Sequence, residues 1–179
     1  MSIYQAIKSD HLKLKSLLND LVELEKDDEF RMTLIEDLGK QLIPHIRAEE
    51  SIFYNTLRGV NADKKLLFHA FQEHIEIEGL FRSLQVLEKF KLNWLPTAKK
   101  LQDIVFRHIQ NEEFELFTEA QNAFTEDESQ LLEASFQELK LKIEHDGIFK
   151  NSFEMVFNML PPKISSKMAN FVKKDELRP

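Results

Sequence analysis

The stretch HIRAEESIFY, residues 45–54, returns 63 residues later as HIQNEEFELF, residues 108–117. It does not return alone. Asp10-His11 ahead of the first copy is echoed by Glu73-His74 ahead of the second, and 74 − 11, 108 − 45 and 112 − 49 all equal 63. A fixed offset of this kind marks a duplicated structural unit. The first two-thirds of the chain therefore reads as one helical hairpin written twice, each copy carrying a His and then His-x-x-x-Glu.

Outward from that stretch, apolar residues recur at helical spacing. Ile3, Ile7, Leu14, Leu17, Leu18, Leu21 and Leu24 make one face of a first helix. Lys26-Asp27-Asp28 is a polar break whose aspartates can cap a second helix, which runs to about Leu57 through Leu34, Ile35, Leu38, Leu42, Ile46, Ile52 and Phe53. Pro44 sits inside it and predicts either a tolerated kink or a bend that aims His45. Gly59 suits a C′ position and Asn61 an N-cap. A third helix then runs from about Ala62 to Phe90, and Pro96 fits the first turn of a fourth that continues to about Phe124. Four helices of roughly 25 to 30 residues with short loops predict an all-α, antiparallel up-down-up-down four-helix bundle.

Thr125-Glu126-Asp127-Glu128 has capping-box spacing and opens a fifth helix through Leu132, Phe136, Leu139 and Ile143. Gly147 interrupts it before a further apolar run, Phe149, Phe153, Val156, Phe157 and Leu160, that ends at Pro161-Pro162. The expected organisation is a metal-binding bundle over residues 1–124 and a C-terminal helical extension over 125–179, packed on the same domain.

Composition narrows the chemistry. The chain has no Cys, so disulfides, thiolate sites and iron–sulfur ligation are excluded and any metal must be held by nitrogen and oxygen. A net charge of −7 argues against a nucleic-acid or anionic-membrane surface. Neither a secretory leader nor an uninterrupted apolar span is visible in the sequence, so a cytoplasmic location is expected.

On an α-helix, residues four apart are turned only about 40° from one another and lie about 6 Å apart along the axis, so both can reach one ion. His45 with Glu49 and His108 with Glu112 meet that geometry. Glu50 and Glu113, five residues on, point about 140° away on a regular α-helix and read as solvated. Spacing alone is weak, because His69 with Glu73 and His74 with Glu78 share it. The duplication discriminates: the counterpart of Glu78 is Lys15 and that of His69 is Ala6. Only His11, His45, Glu49, His74, His108 and Glu112 survive it, each beside apolar neighbours one turn away. Two carboxylates facing each other inside a core are costly, and cations remove that cost. Imidazole and carboxylate without thiolate suit Fe, Mn or Zn, and facing helices of a four-helix bundle are where dinuclear carboxylate sites are built.

His in helix 1, His-x-x-x-Glu in helix 2, His in helix 3 and His-x-x-x-Glu in helix 4 resembles the hemerythrin-like, or HHE cation-binding, domain over about residues 1–124. The resemblance implies two iron ions joined by an oxo or hydroxo bridge, with Zn or Mn as other occupants. His11 and His45 would serve one ion, His74 and His108 the other, and Glu49 and Glu112 would bridge. The oxygen-carrying hemerythrins use a fifth His one turn before the helix 3 ligand, where this chain has Ala70, and His69 is one residue out of register. Two His, two bridging carboxylates and a bridging oxygen leave each iron an open position. The expected role is therefore to bind, sense or react with O2, NO or peroxide, or to handle iron under stress. The iron–sulfur repair proteins built on a similar bundle are an alternative. So is a metal-free interaction module whose residues 126–160 dock a protein partner or a second copy.

Overall fold

Ser2 starts α1 (Ile3–Glu23) with a capping box: its hydroxyl accepts from the Gln5 amide at 3.4 Å while Gln5 Oε1 accepts from the Ser2 amide at 2.9 Å. The computed structural model describes residues 1–24 and 30–146, with side chains through Glu144. The predicted Lys26-Asp27-Asp28 cap, the break at Gly147, the apolar run from Phe149 to Leu160 and the tail lie outside the described residues. α2 (Arg31–Ala48) contains Pro44 and passes through a π-helical turn, Glu49–Tyr54, into α3 (Asn55–Gly59). α4 (Lys64–Lys89) follows. α5 (Leu95–Asn111) carries Pro96 in its first turn and passes through a second π-helical turn, Glu112–Leu116, into α6 (Phe117–Ala123). α7 is Glu126–Asp146. The expectation of uninterrupted α-helix through both copies of the motif is thus corrected: each widens to i→i+5 hydrogen bonding at the same place, since 112 − 49 is again 63.

The turn after α3 departs from the sequence reading. Asn61, not Gly59, takes the left-handed conformation at φ 63°, with Ala62 N bonded to Leu57 O and Asn61 N to Arg58 O in a Schellman closure. Asp63 rather than Asn61 then caps α4, its Oδ1 accepting from Lys65 N at 2.7 Å. Asn tolerates positive φ better than most residues, which lets α3 run through Gly59 before it stops. The capping box of α7 forms as its sequence predicts, Thr125 and Glu128 exchanging side-chain to backbone hydrogen bonds.

Among the described residues the chain is entirely helical. α1 packs on α2 and α5, α4 packs on α5 and α2, and α7 lies against α1 and α2. The core divides along the bundle axis. One apolar cluster holds Ile3, Ile7, Ile52, Phe53, Leu116 and Phe136, and the other holds Leu14, Leu18, Leu38, Leu42, Ile77, Leu101 and Ile109. In α1 and α4 the switch from one cluster to the other is a His: Ile7 to Leu14 spans His11, and Ala70 to Ile77 spans His74; in the other two helices the switch follows the His, between Ile46 and Ala48 and between Ile109 and Leu116. Burial of the two apolar layers therefore fixes a polar layer between them.

Candidate metal centre

The six residues singled out by the duplication converge on that layer. α1 supplies His11, α2 and its π turn supply His45 and Glu49, α4 supplies His74, and α5 with its π turn supplies His108 and Glu112; none is more than 3% exposed. The Glu49 carboxylate is central and divides its oxygens. Oε1 lies 3.5 Å from His11 Nε2 and 3.0 Å from His45 Nε2, and Oε2 lies 3.3 Å from His74 Nε2 and 3.9 Å from His108 Nε2. His74 and His108 bring their Nε2 atoms to 3.1 Å. Two triads result, His11 with His45 and Glu49, and Glu49 with His74 and His108. Glu112 falls outside both and reaches His11 Nε2 with Oε2 at 3.2 Å. Ligands at right angles around an ion, with bonds of about 2.1 Å, sit about 3 Å apart, close to the shorter of these inward spacings, which run from 3.0 to 3.9 Å. His69 and Glu78 lie outside the triads: His69 is 57% exposed beside Glu73, and Glu78 pairs with Arg47 at 2.8 Å.

Electrostatics point the same way. Both oxygens of Glu49 and of Glu112, Nε2 of His11 and Nδ1 of His45 are buried without a hydrogen-bond partner of proper geometry. Such groups cost free energy unless a cation satisfies them. In the metal-free chain protons on His11, His45 and His108 supply positive charge. Burial pulls His11 down, but the carboxylates of Glu112, Glu113 and Glu49 outweigh it and hold the imidazole well above its ordinary range. Burial likewise opposes the charge on His108, and Glu49 and Glu73 carry it to about 9. Glu49 is kept well below the usual carboxylate range because the histidines around it overcome its own desolvation. A set of buried nitrogens and oxygens that demands cations, with no thiolate, fits a pair of divalent metal ions.

The family model described as Hemerythrin HHE cation binding domain matches residues 2–120. The chain belongs to this family. Its fold is shared by a solved hemerythrin HHE cation binding domain-containing protein from Mycobacterium kansasii, with a TM-score of 0.68 and 19% identity over 87% of this chain and 99% of that one. A protein of Nostoc sp. (strain PCC 7120) named DNA nickase is 24% identical over 144 residues, which is 80% of this chain and 40% of that protein. This hemerythrin HHE domain thus spans about two-fifths of the length of that curated relative.

Around the six residues lies a layer that the sequence reading missed. Each His turns Nδ1 outward to a further carboxylate: His11 to Glu113 at 2.8 Å, His74 to Glu50 at 3.1 Å, His45 to Asp10 at 3.4 Å and His108 to Glu73 at 3.1 Å. Hydrogen bonds at His11, His74 and His108 fix which ring nitrogen faces inward, and at His45 the Asp10 carboxylate stands at ion-pair distance. The expectation that Glu50 and Glu113 are solvated is therefore corrected. Glu73 is 4% exposed, and the widened π turns bring Glu50 round to α4 and Glu113 round to α1, although five residues of regular α-helix would turn them away. A signal was present, since 73 − 10 and 113 − 50 also equal 63. Tyr54 was missed as well. Its ring stacks on His74 and its hydroxyl lies 3.4 Å from His74 Nε2, while its counterpart in the second copy is Phe117. Burial, with Glu112 and Glu49 adding to it, pushes the Tyr54 phenol well above its usual range.

Proposed function

We propose that this hemerythrin HHE domain holds two iron ions, His11 and His45 serving one, His74 and His108 the other, with Glu49 and Glu112 shared, and that the pair binds, senses or reacts with O2, NO or peroxide, or handles iron under stress. The observation that carries this reading is Glu49, which is wholly buried and turns one oxygen toward each pair of histidines. Iron held there would supply one-electron chemistry toward such small oxidants, which Zn would not.

The chain's own residues set the terms of access. A cavity of about 10 Å³, lined by His69, Ala70, Glu73, Asn111 and Glu115, borders His108 and Glu112. It holds about one water, a size that favours a diatomic ligand or peroxide over a larger substrate. Ala70 lines this cavity where the oxygen carriers have their additional His, and Tyr54 brings a phenol oxygen to 3.4 Å from His74 Nε2. A net charge of −7 supports a role without a nucleic-acid partner.

Metal analysis of protein purified without added metal tests the reading. About two Fe per chain with oxo-bridge absorption is expected; Zn or Mn in their place refutes the iron assignment, and a folded protein that neither carries metal nor takes it up when supplied refutes the reading as a whole. Tyr54→Phe separates a phenol ligand from a phenol neighbour, because only a ligand gives a visible charge-transfer band that this change removes.

A further inference from the structure

α7 has no counterpart in the duplication, yet it reaches the layer around the histidines. Lys140 is 6% exposed, and its Nζ hydrogen-bonds Oδ2 of Asp10, itself 3% exposed. That same oxygen faces His45 Nδ1 at 3.4 Å. Four residues earlier on α7, the buried Phe136 sets its ring edge-on to His45 with centroids 6.2 Å apart. The other Asp10 oxygen has Lys13 at 3.8 Å, from a side chain 58% exposed.

The related position in the second copy is built differently. Glu73 holds His108 with Oε2, and its Oε1 has His69 Nε2 at 3.3 Å and takes Arg107 Nε and Asn111 Nδ2, each at 3.4 Å. Those groups come from α4 and α5, and the His69 and Arg107 side chains are 57% and 54% exposed. Asp10 is one methylene shorter than Glu73 and depends on a buried ammonium from a fifth helix. A buried lysine is costly unless paired, so Lys140 and Asp10 lock one another in place.

We propose that Lys140 is a positioning residue that acts through Asp10 to fix the ring of His45, so that α7 tunes the ion position at His11 and His45 separately from that at His74 and His108. This inference rests on the metal reading given above. Removing the partner that orients a ligating His costs about 10- to 100-fold in metal affinity. Lys140→Met keeps the length of the side chain and removes its hydrogen bond.

Stepwise titration of the metal-free full chain with Co(II), followed by its visible bands and by calorimetry, reads the two sites apart. Two steps are expected for the wild type. In Lys140→Met one step weakens by about 10- to 100-fold while the other stays within about threefold, Asp10→Asn weakens the same step, and Lys140→Arg restores it. In the Co(II)-loaded protein the paramagnetically shifted N–H resonance of His45 moves in Lys140→Met, and that of His108 does not. Equal weakening of both steps, or two steps at wild-type strength in a folded Lys140→Met, overturns the proposal. If Lys140→Met does not fold, Asp10→Asn decides: both steps unchanged overturns the proposal, one weakened supports it. A wild type that takes up no pair of ions fails the metal reading itself, a result distinct from either.

Discussion

Loading metal into this centre should expel protons, and the structure gives the scale. A metal-bound imidazole must be neutral on its coordinating nitrogen, whereas the carboxylates around His11, His45 and His108 favour their protonated forms in the metal-free chain. His108 is carried to about 9. At pH 7 that is about two units above ambient, so about 99% of the molecules carry the proton and must lose it on binding. His11 stands well above its ordinary range and His45 is also raised, so they add to the release. Glu49 is held well below its usual range and contributes none. The expected total is more than one proton per pair of ions at pH 7. The proton on His108 alone should weaken binding about 50-fold between pH 9 and pH 7, or about 2.3 kcal/mol. Calorimetric titration with Co(II) in buffers of different ionisation enthalpy measures the number directly, and repeating it from pH 6 to pH 9 measures the slope. A release below about half a proton, or an affinity flat over that range, would refute the reasoning, because the histidines would then be neutral and the buried carboxylates balanced by something else.

The same histidines make the metal-free protein sensitive to alkali. A folded pKa raised above about 6.5 stabilises the fold below that value, and the stabilisation is lost as pH rises through the folded pKa. Thermal melts of the metal-free chain should fall between about pH 6.5 and pH 9, by up to about 3 kcal/mol from His108 alone, and the metal-loaded protein should not follow them. Glu49→Gln should cost both ions, since both triads share this carboxylate; a variant that retains two by elemental analysis would sink the shared-ligand assignment. Two glycines should respond with opposite signs in urea unfolding. A Cβ on Gly79 meets nothing within 4 Å in an exposed stretch of α4, so Gly79→Ala should stabilise by about 1 kcal/mol. A Cβ on Gly39 would stand 2.7 Å from Cζ of the buried Phe81, so Gly39→Ala should destabilise by about 1 to 3 kcal/mol.

Much of this molecule is legible in one dimension because it is helical and written twice. Helical periodicity depends on neighbours three and four residues apart, so the bundle follows from the spacing of Ile7, Leu14, Leu18 and their equivalents. The offset of 63, taken with the His-x-x-x-Glu spacing, singled out His11, His45, Glu49, His74, His108 and Glu112 among the chain's histidines and glutamates, and the chain folds them into one layer. The same arithmetic held Asp10, Glu50, Glu73 and Glu113, but a regular α-helix sends Glu50 and Glu113 to the wrong side. Nothing in local propensity announces a π turn, which is settled by what the widened turn gains elsewhere.

What the sequence determined by itself was therefore the repeat, the helices and the chemical types available to the site. Only the tertiary structure decided that Glu49 is shared between the two triads while Glu112 sits against His11. It also brought Tyr54 onto His74 and Lys140 to Asp10, across 130 residues of chain. The physical reason is range: helical pattern is a property of adjacent turns, whereas a buried charge is settled by whichever partner the packing of distant helices brings within about 3 Å.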